Sequence, residues 1–261
     1  KGNSFISAAM SLGIVIGPGI GGWLADYGLK TPLLISAIVG LLAFVISHFT
    51  LKESLVEKVE VSTGNNQSMV KDIVLSVKKP FFIPLVITLI MSFGLMSYET
   101  VLGLYVSDEF SVTPKEIAFM ITSTGLVSVV MQLFVVDRIV RLIGELNVVK
   151  VFLIITSFGF FLSIIAKTYE MFFAISLIIF LATSILRPVL TTLVSKLAGK
   201  EQGFAMGMNN AYMSIGNILG PLLAGALYDI RILYPFIAGL IILIITTIFT
   251  FMWRAKPLKQ A

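Results

Sequence analysis

The sequence predicts an all-α integral membrane protein with eight transmembrane helices, and three observations lead there. Of its 261 residues, 57% are hydrophobic and only 13% are charged. The mean hydropathy of +1.00 lies far above that of a soluble domain. Eight apolar runs approach the roughly 20 residues that a helix needs to cross the hydrocarbon core. Period-2 alternation is absent, which argues against a β-barrel, the other architecture that satisfies its backbone groups in lipid.

The runs fall at 4–25, 32–50, 81–106, 114–136, 147–166, 170–194, 203–227 and 233–253. Pro80, Pro114 and Pro235 stand where a helix can start without the N–H that proline lacks. Thr113 and Glu116 have the spacing of a capping box. The long connection, 51–80, carries Lys52, Glu53, Glu57, Lys58, Glu60 and the run Gly64-Asn65-Asn66-Gln67-Ser68. It reads as a linker between two helical units. Its second half alternates Lys71, Lys78 and Lys79 with Val70, Ile73, Val74 and Val77, a pattern suited to a membrane surface; a solvated linker is the simpler reading.

Charge sets the orientation. Fourteen Lys and Arg residues fall on the side of the linker and the C-terminus and four on the other, with Arg187 inside a span. Cytoplasmic loops carry the positive excess, so the linker and C-terminus are expected to be cytoplasmic. The net charge of +5 then anchors the chain to the membrane, and no nucleic-acid partner is expected. With no cysteine and a single histidine, His48, neither a disulfide framework nor a metal cluster is expected. The chain opens Lys1-Gly2-Asn3-Ser4, with no initiator Met and no leader pattern, as expected of a stretch from within a longer protein.

A repeat organises the chain. The first run contains Gly13-x-x-x-Gly17-Pro18-x-x-Gly21-Gly22 and the seventh Gly216-x-x-x-Gly220-Pro221-x-x-Ala224-Gly225, an offset of 203. The same offset carries Ser4 to Gly207, Asp26 to Asp229 and Pro32 to Pro235. Internal repeats of equal orientation are a common transporter architecture. Copies six helices apart imply a six-helix unit and a twelve-helix whole, with four helices expected before this stretch. The domains expected are 1–50 as the last two helices of an N-terminal bundle, 51–80 as a cytoplasmic linker and 81–261 as a C-terminal six-helix bundle. Physically, glycines every four residues form a stripe that lets another backbone come close. Each proline removes one helix hydrogen bond.

The Gly13 to Gly22 segment resembles the antiporter signature of the drug:proton exporters in the major facilitator superfamily, whose fuller pattern has a further glycine where this chain has Ser4. Other matches to the Bmr and NorA type of bacterial multidrug pump are Ser97-Tyr98-Glu99-Thr100, Gln132 with Asp137-Arg138, Arg187-Pro188, and Glu201-Gln202-Gly203-Phe204-Ala205. The resemblance covers essentially the whole chain. It implies a monomeric, multi-pass cell-membrane protein that exports lipophilic, often cationic drugs, driven by the proton gradient and without a cofactor. The competing readings are a facilitator of a sugar or other small metabolite, and an inactive fragment or membrane scaffold.

No enzyme signature is present. Gly199-Lys200 lacks the rest of a phosphate loop, and His-Glu-x-x-His is missing. The candidates are instead polar groups inside spans, where they are costly and so point to function. Glu99 is the one carboxylate well inside a span, a candidate proton carrier and substrate contact, and the resemblance implies both roles. Arg187 is the one base within a span. Where the resemblance leads us to expect an acid three residues before it, this chain has Ser184. Gln132, Asn209 and Asn217 are amides within spans, and Tyr98, Met131, Phe134, Tyr212 and Met213 are near them in sequence. Together they are expected to line an apolar cavity with a few polar handles. Asp137, Arg138 and Arg141 resemble the charged loop of a cytoplasmic gate. Trp23, Tyr27, Tyr228 and Trp253, at span ends, read as interface anchors.

Overall fold

In the computed structural model the described residues are 13, 16, 17, 20–24, 27, 28, 30–50 and 69–253. Among them there is no strand, and nine helices follow in order: α1 (Thr31–Thr50), α2 (Met69–Ser76), α3 (Phe82–Phe110), α4 (Pro114–Phe134), α5 (Val136–Ile143), α6 (Glu145–Ile165), α7 (Tyr169–Ala198), α8 (Gln202–Ile230) and α9 (Tyr234–Met252). All but α2 and α5 are long and apolar enough to cross a membrane. Residues 13, 16, 17 and 20–24 are helical too, within the first predicted run. The rest of that run, including Ser4 and Pro18, lies outside the described residues, as do Asp26, 51–68 and 254–261.

The helix starts follow the local chemistry. The Thr113 hydroxyl accepts from the Glu116 N–H at 3.4 Å, and Glu116 Oε2 accepts from the Thr113 N–H at 2.7 Å, which completes the predicted capping box beside Pro114. Several boundaries differ from the sequence reading. The predicted span 114–136 stops at Phe134, and the chain turns at Val135 into α5, a short helix whose residues segregate by polarity. Spans 81–106 and 203–227 run on to Phe110 and Ile230. There the Tyr228 hydroxyl donates to Asp108 Oδ2 at 2.7 Å, so this predicted interface anchor also ties α8 to α3. Finally, 69–76, within the predicted linker, is a helix on which Lys71, Val74 and Leu75 are exposed. Ser76, at its end, is fully buried with its hydroxyl 2.9 Å from that of Tyr212. Beyond it, Lys79 pairs with Glu201 at 2.6 Å.

In lipid, packing and hydrogen bonds rather than water exclusion hold helices together. The second glycine motif supplies such packing. A Cβ on Gly216 would lie 2.4 Å from the Leu89 carbonyl oxygen, and one on Gly220 would lie 2.7 Å from that of Phe93. Only hydrogen fits at either position, so α8 lies directly on the α3 backbone. Gly225 faces open space. In the first copy Gly13, Gly17 and Gly21 have nothing within 4 Å among the described residues, so the expected packing stripe is open here. Gly22 makes the contact instead: a Cβ there would lie 2.0 Å from that of Ala118 in α4. The reason is helical geometry, since Gly22 points about 100° away from Gly21.

Around α3 the bundle closes on α4, α7, α8 and α9, with α6 packed between α7 and α9. The core is aromatic. Tyr98 and Tyr105 of α3 meet Phe160, Phe172 and Phe236 from α6, α7 and α9, and the contacting rings have centroids 4.8–6.1 Å apart. Edge and offset contacts of this kind contribute about 0.5–1.5 kcal/mol each beyond burial. α1, apolar all round, has no buried residue.

Candidate functional site

Three helix faces converge on one cavity. On α3, Leu95, Glu99 and Leu102 recur at helical spacing; on α4, Ile121, Thr124, Gly125, Ser128, Val129 and Gln132; on α7, Phe180, Thr183, Ser184 and Arg187. The cavity holds about 460 Å³, within the range of small-molecule sites. A small extension of about 20 Å³, shared through Leu95, Thr183 and Arg187, leads toward Thr88 and Leu190.

Its hydroxyls are already used. Thr124 donates to the Ile121 carbonyl at 2.8 Å, Ser128 to Thr124 at 2.9 Å, Thr183 to Ile179 at 3.0 Å and Ser184 to Leu181 at 2.7 Å. Serine and threonine bond back to their own helix in this way when no better acceptor is near. The polar groups left to meet a ligand are the Glu99 carboxylate, the Gln132 amide and the Arg187 guanidinium, all exposed to the cavity. Glu99 and Arg187 are close enough to interact electrostatically. They make no ion pair among the described residues; Arg187 Nη2 donates to Met213 Sδ at 3.5 Å. Pro188 next to Arg187 has no N–H, so the Ser184 carbonyl in the cavity wall lacks its helix donor. An apolar chamber with one acid, one base and one amide suits an amphiphilic guest better than a sugar, which needs a dense set of free donors and acceptors.

Of the predicted site residues the cavity brings together Glu99, Gln132, Ser184 and Arg187, with Met213 behind Arg187. The others lie elsewhere. Tyr98 is 1% exposed, with its hydroxyl 2.7 Å from that of Ser176, inside the aromatic core. Tyr212 is buried against Ser76. Asn209, also buried, accepts from Thr88 at 3.3 Å. Met131 packs on the core, whereas Phe134 is 63% exposed at the C-terminal end of α4. Asn217 is half-buried, and its Oδ1 has no hydrogen-bond partner among the described residues. Asp137, Arg138 and Arg141 are exposed on α5 without an ion pair among the described residues. Asp137 in the first turn and Arg141 in the last suit the helix dipole. Sequence reasoning missed Thr124, Ser128 and Thr183. Their signal was small polar residues spaced three to four from Gln132 and Arg187 on the same helix faces.

This fold and site define a helical membrane protein with a ligand-sized chamber inside its bundle. The sequence matches the Major Facilitator Superfamily over residues 1–107 and again over 84–261, and the chain belongs to that family. It is 38% identical over 259 residues to Multidrug resistance protein 2 of Bacillus subtilis (strain 168), covering 98% of this chain and 65% of that protein. To Multidrug resistance protein 1 of the same strain it is 36% identical over 261 residues, covering 100% and 66%. To Quinolone resistance protein NorA of Staphylococcus aureus (strain COL) it is 31% identical over 253 residues, covering 94% and 64%. The chain thus spans just under two thirds of the length of each relative.

Proposed function

We propose that the chamber of α3, α4 and α7 takes up lipophilic, often cationic drugs, and that the protein exports them from the cell in exchange for protons. The observation that carries this reading is Glu99, the only carboxylate among the described residues that line the cavity, set beside the Gln132 amide and the Arg187 guanidinium in otherwise apolar or hydrogen-bonded walls. The names of the similar proteins, two for multidrug and one for quinolone resistance, support drugs as the cargo.

Ionised Glu99 holds the cationic end of a guest and Gln132 a polar group on its body. Protonation of Glu99 neutralises that hold and releases the guest. Arg187 opposes cations and lies within electrostatic reach of Glu99. With Ser184 where a second acid is expected, Glu99 is the coupling acid on this side of the chamber. Two six-helix bundles, one of them within 81–261, joined by the 51–80 linker, expose the chamber to either face in turn. Asp137, Arg138 and Arg141 belong to the cytoplasmic gate. The C-terminus is cytoplasmic by the Lys and Arg excess, and the working unit is a monomer.

In membrane vesicles containing the protein at its full length, Glu99→Gln is expected to abolish dye transport driven by a pH gradient while leaving the amount of inserted protein unchanged. Undiminished transport by that variant would overturn the role of Glu99.

A further inference from the structure

A second cavity lies on the outer face of the bundle, between α6 and α9. It holds about 340 Å³ and is walled by Ile154, Phe158, Phe161, Leu240, Ile244 and Ile248. It shares no residue with the Glu99 chamber. Phe158, Ile244 and Ile248 are exposed, so the groove opens sideways, away from the bundle. Its two hydroxyls, Ser157 and Thr247, offer a guest nothing. They lie 3.3 Å apart and donate to the Leu153 and Leu243 carbonyls at 2.8 and 2.7 Å. Such a groove accepts hydrocarbon and gives a drug no polar handle.

The two helices run antiparallel, so the groove extends from Ile154 and Ile248 to Phe161 and Leu240, about 12 Å at the helical rise. One turn beyond Ile154 lies Lys150. Its Nζ sits 5.1 Å from the centre of the Phe251 ring, a contact that holds the ammonium at the mouth of the groove. Lys150 has no ion pair among the described residues, and Glu145, the one acid of α6, is taken by Lys196. A hydrocarbon slot ending in an unneutralised cation matches a molecule with an apolar tail and an anionic head.

We propose that the α6–α9 groove seats an anionic phospholipid, one acyl chain lying along Ile154 to Phe161 and the headgroup phosphate meeting the Lys150 ammonium. The site is independent of the transport reading, because it rests on residues outside the chamber.

The test is native mass spectrometry of the whole chain, released from detergent after incubation with equal amounts of phosphatidylglycerol and phosphatidylcholine of the same acyl composition. Phosphatidylglycerol is expected to be retained about fivefold better, the weight of one lysine beside an anionic lipid. Lys150→Gln brings the two lipids to parity, Lys150→Arg keeps the preference, and Ile244→Trp, which fills the slot, lowers retention of both. Circular dichroism checks that each variant keeps the helical content of the parent. Equal retention by the parent chain, or a preference surviving Lys150→Gln, overturns the proposal. Retention unchanged by Ile244→Trp overturns it too, and so does a dimer that Ile244→Trp abolishes, which would assign the groove to a second copy of the chain.

Discussion

The Ser97 hydroxyl donates to the Gly220 carbonyl at 3.1 Å, across an interface where α8 lies against the α3 backbone. That bond joins the residue before Pro221 to the helix that carries Glu99, two positions further on. The duplicated glycine motif thereby sets the position of the α3 wall of the chamber.

Side chains on this interface are expected to be poorly tolerated. Gly216→Val puts carbon into the space held by the Leu89 carbonyl and should cost about 1–3 kcal/mol as the helices separate. Gly225→Ala, in open space within the helix, should be neutral or stabilising by up to about 1 kcal/mol. Equilibrium unfolding in mixed micelles measures both.

The burial of Tyr98 in the aromatic core is testable in the same way. Tyr98→Phe removes the hydrogen bond to Ser176 and should lower stability by about 0.5–1.5 kcal/mol. Because Tyr98 lies outside the chamber, the affinity for a lipophilic dye should not change. Titration of the dye by fluorescence against the unfolding curve separates the two effects.

The contact of Gly22 with Ala118 can be captured chemically, since the chain has no cysteine to compete. A Gly22→Cys, Ala118→Cys pair should cross-link on mild oxidation, and a Gly17→Cys, Ala118→Cys pair should not. Mass analysis after proteolysis reads the linked peptides.

At the start of α4, Glu116→Ala removes half of the capping box and should lower the unfolding midpoint. Glu116→Gln should recover part of it, because the amide oxygen still accepts from the Thr113 N–H.

Hydropathy, proline positions and the capping box made the spans legible, because each depends on local chemistry alone. The repeat made the close approach at Gly216 and Gly220 legible as well. The chamber was half legible. Glu99, Gln132 and Arg187 stand out as polar groups inside apolar runs, whereas Tyr98, Met131 and Tyr212 drew attention only by adjacency. Consecutive helical residues point about 100° apart, so Tyr98 enters the aromatic core while Glu99 faces the chamber. Which face meets which helix depends on tertiary contacts, such as Tyr98 with Ser176 on α7, that lie 78 positions apart. The short α5 was hidden because Val135 and Val136 continue the apolar run past the turn.

In the proposed function, Glu99 holds a cation in the chamber and a proton displaces it. The most direct measurement is the affinity of a fluorescent lipophilic cation for the purified chain as a function of pH, for the parent and for Glu99→Gln. The parent should bind more weakly as the pH falls and Glu99 gains its proton, and the variant should bind at least about tenfold more weakly than the ionised parent, with no pH dependence. Equal affinity and equal pH dependence in the two proteins would contradict the account.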